Sequence, residues 1–294
     1  MQKHSPVLSL YYILWSMRPR QWIKNVFVFS ALVFSEHLFE ISYLVRSLGS
    51  VFCFVLLSGG VYLFNDIFDR QYDRLHPEKR HRPIAAGHLS VSLAWGAALV
   101  SLALALACAF WLHPHLGWVA TLYAALNAAY SLRLKHVVLV DVLIVAACYL
   151  LRAVGGGVVI EVSISTWFIV CIFALVLFVA VVKRRQEIVQ LADAAADHRA
   201  ILEEYSVPFL DQMIAVLTAV TVVCYALYAM GVGDAEDARL QWTIPFVLYG
   251  VLRYLYLVYH RGQGDDPTAV VWSDRPLQVN TLLWLVASIL GLYA

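Results

Sequence analysis

The run Asn65-Asp66-Ile67-Phe68-Asp69-Arg70-Gln71-Tyr72-Asp73 carries four oxygen-bearing side chains at helical spacing. On a helix Asn65, Asp69 and Asp73 stand at i, i+4 and i+8, and Asp66 lies three residues ahead of Asp69, so all four line one broad face. Hard oxygen donors grouped in this way suit Mg²⁺, which keeps several waters and completes its shell from a few carboxylates and from substrate phosphates. A solvated acidic helix end, offset by Arg70 and Arg74, would use the same residues. Position separates the two readings. The run begins inside an apolar stretch, where an Asn-Asp pair is costly and marks a functional site by default. Asp66, Asp69 and Asp73 are therefore the candidate catalytic carboxylates and, with Asn65, the candidate metal ligands.

Cations stand further along. Lys183-Arg184-Arg185-Gln186-Glu187 puts three bases and one acid directly after an apolar run. Such cations are donors for phosphate oxygens, although Lys183 by itself also reads as a topological anchor. Arg152 is a different case, because it lies well inside an apolar segment and is followed by Gly155-Gly156-Gly157. The glycines permit close helix approach or a break. An arginine at that depth must face a cavity or pair internally. Asp141 lies 11 residues earlier, about 16 Å along a helix, so it is out of reach and a cavity-facing Arg152 is expected.

The elements that must position these residues are membrane helices. The chain has 294 residues, 62% hydrophobic and 14% charged, with a mean hydropathy of +0.73, which selects a membrane class over a soluble one. Eight apolar segments approach the ~20 residues that a crossing helix needs: 45–66, 89–112, 116–132, 137–160, 166–182, 208–230, 242–259 and 277–294. A ninth, Gln21–Phe39, is interrupted by Lys24, Asn25, Glu36 and His37, and 7–17 is too short to span and reads as an interfacial helix. With nine crossings, all but four of the 21 Lys and Arg fall on one side; Arg46 and Arg239 lie opposite, and Arg152 and Arg253 lie within spans. The crowded side is cytoplasmic by the positive-inside rule, which puts the N-terminus in and the C-terminus out. The net charge of +1 points to no partner, and no nucleic-acid partner is expected. The histidines show no zinc-like pattern. Each of five cysteines (Cys53, Cys108, Cys148, Cys171 and Cys224) stands alone in an apolar run, as small buried hydrophobes do.

NDxxDxxxD at the cytoplasmic end of the second helix of a nine-helix chain resembles the first aspartate-rich motif of the UbiA-type membrane transferases. The resemblance covers essentially the whole chain. It implies an all-α integral membrane protein with one transmembrane domain over 1–294. In that family two acidic motifs, after helices two and six, face each other across a central cavity open to lipid and hold Mg²⁺ and a diphosphate. This sequence departs from the pattern at the second motif, where Lys183–Glu187 replaces DxxxD. Four other segments add to the resemblance: Arg18-Pro19-Arg20-Gln21-Trp22-Ile23-Lys24-Asn25, His81-Arg82-Pro83-Ile84-Ala85-Ala86-Gly87, Leu134-Lys135-His136 and Leu151-Arg152-Ala153-Val154-Gly155-Gly156-Gly157. Together they look like the branch that transfers a phosphoribosyl group from phosphoribosyl diphosphate to a polyprenyl phosphate, in the pathway to arabinose-containing cell-wall polymers.

The implied chemistry fits the residues. Breaking the C1–O bond of phosphoribosyl diphosphate develops positive charge on the ring and negative charge on the leaving diphosphate. Mg²⁺ held by the aspartates would stabilise the leaving group, and nearby carboxylates the ring. The acceptor phosphate is already an anion, so no general base is required, and in-line attack inverts C1. Lys183, Arg184 and Arg185, with Lys79, Arg80 and Arg82, are candidates for a second phosphate pocket; Lys24, Arg18, Arg20 and Lys135 are candidates for the lipid phosphate. Asn65, Tyr130, Arg152 and Glu187 join them as substrate-binding residues on the resemblance. Two rivals stay open. A prenyltransferase of the same fold would call for the missing DxxxD, and a transporter of a phosphorylated or lipid-linked solute would call for midplane polar residues reached from both sides. The expected partners are phosphoribosyl diphosphate, polyprenyl phosphate and membrane lipid in the cell membrane, with a homo-oligomer left open.

Overall fold

Lipid offers a backbone no water to bond, so a crossing segment must satisfy its own N–H and C=O groups, as a helix does. In the computed structural model, which describes residues 6–75, 79–191, 204–232, 239–264 and 267–293, every regular element among the described residues is helical. In chain order the α-helices are α1 (Pro6–Ser16), α2 (Phe29–Phe34), α3 (Ile41–Phe68), α4 (Arg70–Leu75), α5 (Val91–Leu112), α6 (Pro114–Leu132), α7 (Val140–Val159), α8 (Thr166–Leu191), α9 (Val207–Ala229), α10 (Ile244–Arg261), α11 (Pro267–Ser273) and α12 (Arg275–Tyr293). Seven of them, α3, α5, α7, α8, α9, α10 and α12, are long and apolar enough to cross a membrane. Helix α6 has a crossing length of 19 residues but stands outside those seven. The short helix expected over 7–17 is α1.

One expected crossing differs. Gln21–Phe39 is not a continuous α-helix: a 3-10 segment, Pro19–Val28, leads into the six-residue α2. The reason lies in its polar centre, since Asn25 is buried and bonded to another helix. Elsewhere the ends follow local chemistry. Ser90 and Ser206 cap α5 and α9 by accepting from Leu93 N and Phe209 N, which satisfies an otherwise orphaned N–H. Gly262, at φ 63, takes the left-handed position that closes α10.

The chain divides into two compact units, one of residues 1–134 and 151–163, the other of residues 135–150 and 164–294. In the first unit α3 packs on α5. Lipid is as apolar as leucine, so close approach and interhelical hydrogen bonds hold such pairs. Ala94, Ala98, Ser101, Ala105 and Ala109 form the buried stripe of α5, and the Ser101 hydroxyl donates to the Leu56 carbonyl at 2.8 Å. In the second unit Phe178 and Val182 of α8, Leu210 and Ile214 of α9, and Leu257 of α10 form one buried cluster. There Arg253, a cation within a span, donates to both carboxylate oxygens of Asp274, at 3.2 and 2.8 Å.

Candidate active site

Helix α3 delivers the acidic run to its C-terminal end. The α-helix closes at Phe68, with Asp69 at φ −83 and ψ 1 as its cap, and α4 resumes at Arg70. The backbone ladder nevertheless continues, because Asp69 N donates to Asn65 O at 2.9 Å and Asp73 N to Asp69 O at 2.8 Å. The register therefore survives the joint, and Asp66 and Asp73 stay on one face, 2% and 4% exposed. Arg82 Nη1 joins them, donating to Asp66 Oδ1 at 3.1 Å and to Asp73 Oδ2 at 2.8 Å. Arg18 Nη2 donates to the same Asp66 oxygen at 2.5 Å, its guanidinium 4.8 Å from the centre of the Tyr62 ring.

Both arginines are held where the sequence would not leave them by default. Arg18 begins the 3-10 segment at φ 54, a left-handed conformation that costs a non-glycine residue roughly 1–2 kcal/mol. Arg82 opens the turn that runs to Gly87, anchored by the fully buried Ile84 and by Arg74 Nε donating to Ala85 O at 3.0 Å. Asn65 Oδ1 accepts from the Ser131 hydroxyl of α6. Among the described residues no three His, Cys, Asp or Glu side chains gather as a metal site; the cations at the acidic run are arginines. Arg18, Arg82 and Asp66 also border a cleft of about 730 Å³ that α1 and Pro83 help to line.

Arg152 corrects an expectation. It is 3% exposed and pairs internally instead of facing a cavity, with Nε donating to Asn25 Oδ1 at 2.9 Å and Nη2 to the Tyr123 hydroxyl at 2.7 Å. The glycines make this possible. A Cβ on Gly156 would collide with the Val28 carbonyl, and one on Gly155 would come 2.7 Å from Phe54. Close approach is thus their role, and α7 continues through them unbroken.

In the second unit Lys183–Glu187 lies on α8, not in a loop. Arg184 is buried: Nε donates to Asp141 Oδ2 at 2.8 Å and Nη1 to Glu187 Oε2 at 2.5 Å. Tyr205 closes the network by donating to Asp141 Oδ1 at 2.8 Å and accepting from Leu139 N at 2.7 Å. Burial pushes its phenol up to about 12, so it stays a donor at neutral pH. Arg185 donates to Asp211 at 2.5 Å and lies over the Tyr259 ring. Lys183 is exposed.

A profile of the UbiA prenyltransferase family matches residues 25–291. The chain belongs to this family. Of the relatives of this UbiA-family chain, a Mycobacterium tuberculosis protein named decaprenyl-phosphate phosphoribosyltransferase is 34% identical, over 92% of this chain and 90% of its own. A Mycolicibacterium smegmatis protein of the same name is 34% identical over 92% and 89%. The solved structure of a UbiA homolog from Archaeoglobus fulgidus, bound to GPP and Mg2+, has 18% identity and a TM-score of 0.73, covering 96% of this chain and all of that one. That likeness confirms the fold. The UbiA-family chain is a multi-pass membrane protein.

The candidates of this UbiA-family chain now sort by place. Asp66, Asp73 and Arg82 meet in the first unit; Asp69 is half-buried at the joint between α3 and α4. Lys24 is half-buried in the 3-10 segment, Tyr130 near the end of α6, and Lys79 and Lys135 in short 3-10 turns. Arg184, expected as a phosphate contact, and Glu187, expected as a substrate-binding residue, pair with each other, because the buried guanidinium needs the carboxylates of Asp141 and Glu187. Sequence reasoning missed Ser131, Tyr123 and Tyr205, whose spacing to their partners is long-range and leaves no local pattern. Asn25 was within reach, as a polar residue that interrupts an apolar segment, and Arg18, named for the lipid phosphate, is bonded to Asp66.

Proposed function

We propose that the chain transfers the 5-phosphoribosyl group from phosphoribosyl diphosphate to a polyprenyl phosphate of decaprenyl type, releasing diphosphate with inversion at C1. The observation that carries this reading is the 34% identity, over 92% of the chain, to proteins named decaprenyl-phosphate phosphoribosyltransferase. The replacement of the second acidic motif by Lys183–Glu187 supports it, since a prenyl-diphosphate user would keep two acidic clamps.

The acidic run fits a divalent cation. Asp66 and Asp73 are buried carboxylates that converge on one point, now taken by Arg82 Nη1, and such hard oxygens are what Mg²⁺ selects. In this reading Asp66, Asp69 and Asp73 would hold the metal, while Asn65 is engaged by Ser131. When bound, the ion supplies charge to the departing diphosphate. Arg82 and Arg18 then exchange carboxylate for phosphate oxygens, which fit the guanidinium fork equally well. Lys183, Lys79 and Arg80 stay candidates for the 5-phosphate, and Lys24, Arg20 and Lys135 for lipid phosphate; Tyr130 borders the donor. Arg184 and Glu187 position this end of α8, and Arg152 fixes the 3-10 segment. Both units form one domain in this proposal, as the family match across 25–291 supports. Nine crossings, with the site on the cytoplasmic side of the cell membrane, follow from the distribution of Lys and Arg.

The test supplies the purified chain with radiolabelled phosphoribosyl diphosphate and a polyprenyl phosphate, with and without Mg²⁺, beside an Asp69→Asn variant. Label entering the lipid phase only with Mg²⁺ and intact Asp69 is the expected result. Transfer from a prenyl diphosphate to an aromatic acceptor, with none from phosphoribosyl diphosphate, would overturn the reading.

A further inference from the structure

The cleft of the first unit has a composition of its own. Its floor carries Arg18 and Arg82 around the single carboxylate Asp66, its mouth carries Arg20 and His81, and its rim is Tyr11, Leu14 and Trp15 of α1. Arg18 and Arg82 are ion-paired to Asp66, whereas Arg20, which is exposed, makes no ion pair among the described residues. Cationic charge therefore exceeds acidic charge in the cleft. The rim residues are apolar or amphipathic and open, with Tyr11 56%, Leu14 44% and Trp15 48% exposed.

We propose that this cleft docks the acceptor lipid by its phosphate monoester. The phosphate sits at Arg20, beside Arg18, and the first isoprene units run out along Leu14, Trp15 and Tyr11. The assignment rests on the proposed function in taking the acceptor to be a lipid phosphate, and adds where it binds. Its logic is one of matched ends. A free phosphate needs the floor and not the rim, whereas a polyprenyl phosphate uses both, and α1 has the length and apolarity of a helix that lies at the membrane interface. Asp66 at the floor brings that phosphate to the acidic run, which is where the acceptor oxygen has to be for attack on C1.

Binding of the full chain is measured in detergent, without turnover, for four probes: a polyprenyl phosphate, the matching polyprenol, inorganic phosphate and phosphoribosyl diphosphate. Arg20→Gln is expected to weaken polyprenyl phosphate about ten-fold, the loss of one charge-assisted hydrogen bond, with phosphoribosyl diphosphate unchanged. Leu14→Glu at the exposed rim should weaken polyprenyl phosphate and leave inorganic phosphate alone. Unchanged polyprenyl phosphate binding in both variants overturns the proposal. So does an equal loss for phosphoribosyl diphosphate in Arg20→Gln, which would make the cleft a donor site, or for inorganic phosphate in Leu14→Glu, which would take the rim out of lipid binding. A chain that binds polyprenyl phosphate through Arg20 but transfers no phosphoribosyl group would sink the proposed function and leave the cleft standing.

Discussion

At the scale of single residues, Arg82 holds together a pair that would otherwise repel. Asp66 and Asp73 present oxygens 3.1 and 2.8 Å from one Nη1, and both are buried, so removing the guanidinium leaves two carboxylates facing each other with little water. Arg82→Gln is expected to lower the thermal midpoint in metal-free buffer and to regain part of the loss when MgCl₂ is added, since a divalent cation can take the vacated place. Its KM for phosphoribosyl diphosphate should rise about ten-fold or more, as a charged hydrogen bond contributes about 1.5–3 kcal/mol. A midpoint indifferent to Mg²⁺ would argue against a metal at these carboxylates. Arg152 belongs to the opposite class. Its bonds to Asn25 and Tyr123 lie inside the protein, so Arg152→Met should cost about 1–3 kcal/mol for each polar group left unpaired. The loss would appear in thermal unfolding in detergent, with the KM values of the folded fraction unmoved; a raised KM at unchanged stability would return Arg152 to the substrate.

At the scale of elements, the crossing of α7 with the 3-10 segment depends on one absent Cβ. A methyl at Gly156 would run into the Val28 carbonyl, and backbone cannot step aside as a side chain can. Gly156→Ala should therefore separate Asn25 from Arg152 and destabilise as much as Arg152→Met does, and combining the two should add little, because both break the same contact. The expected signature is a double-mutant cycle in thermal midpoint that falls short of additivity. The Tyr205 clamp makes a similar case in the second unit. Leu139 stands at φ 66, and its N–H is satisfied by Tyr205, whose own proton goes to Asp141. Tyr205→Phe orphans the Leu139 N–H and leaves the Asp141 carboxylate to Arg184, and a midpoint equal to that of the parent would rule the clamp out. These contacts explain what the sequence could and could not reveal. Helix positions and the acidic run were legible because periodicity and apolar length are local properties. The partners of Arg152, Arg184 and Asn65 were not, since Asn25, Asp141 and Ser131 reach them from remote segments, and a polar residue in an apolar run announces a need without naming what meets it.

At the scale of the whole molecule, the asymmetry of charge makes the strongest commitment. Placing nearly all Lys and Arg on one side requires an odd number of crossings, and the seven helices that qualify by length and apolarity leave α6 and the segment 19–34 to decide the count. Helix α6, at 19 residues, spans about 28 Å at ~1.5 Å per residue, enough for a ~30 Å core with modest adjustment. The segment 19–34 is the harder case, because its 3-10 part is longer per residue than an α-helix, at about 2.0 Å, and thus gains reach from its irregularity. Single cysteines introduced into a background without Cys53, Cys108, Cys148, Cys171 and Cys224 can read the result. Glu40→Cys and Trp242→Cys are expected to react with a membrane-impermeant maleimide in intact cells, and Arg80→Cys and Arg261→Cys only after permeabilisation; all four positions are exposed. Reversed labelling of both pairs would invert the orientation and put the acidic run outside the cell. Glu40 and Arg80 labelling alike would mean that α3 does not cross, and the charge distribution would then lose its meaning as a topological record.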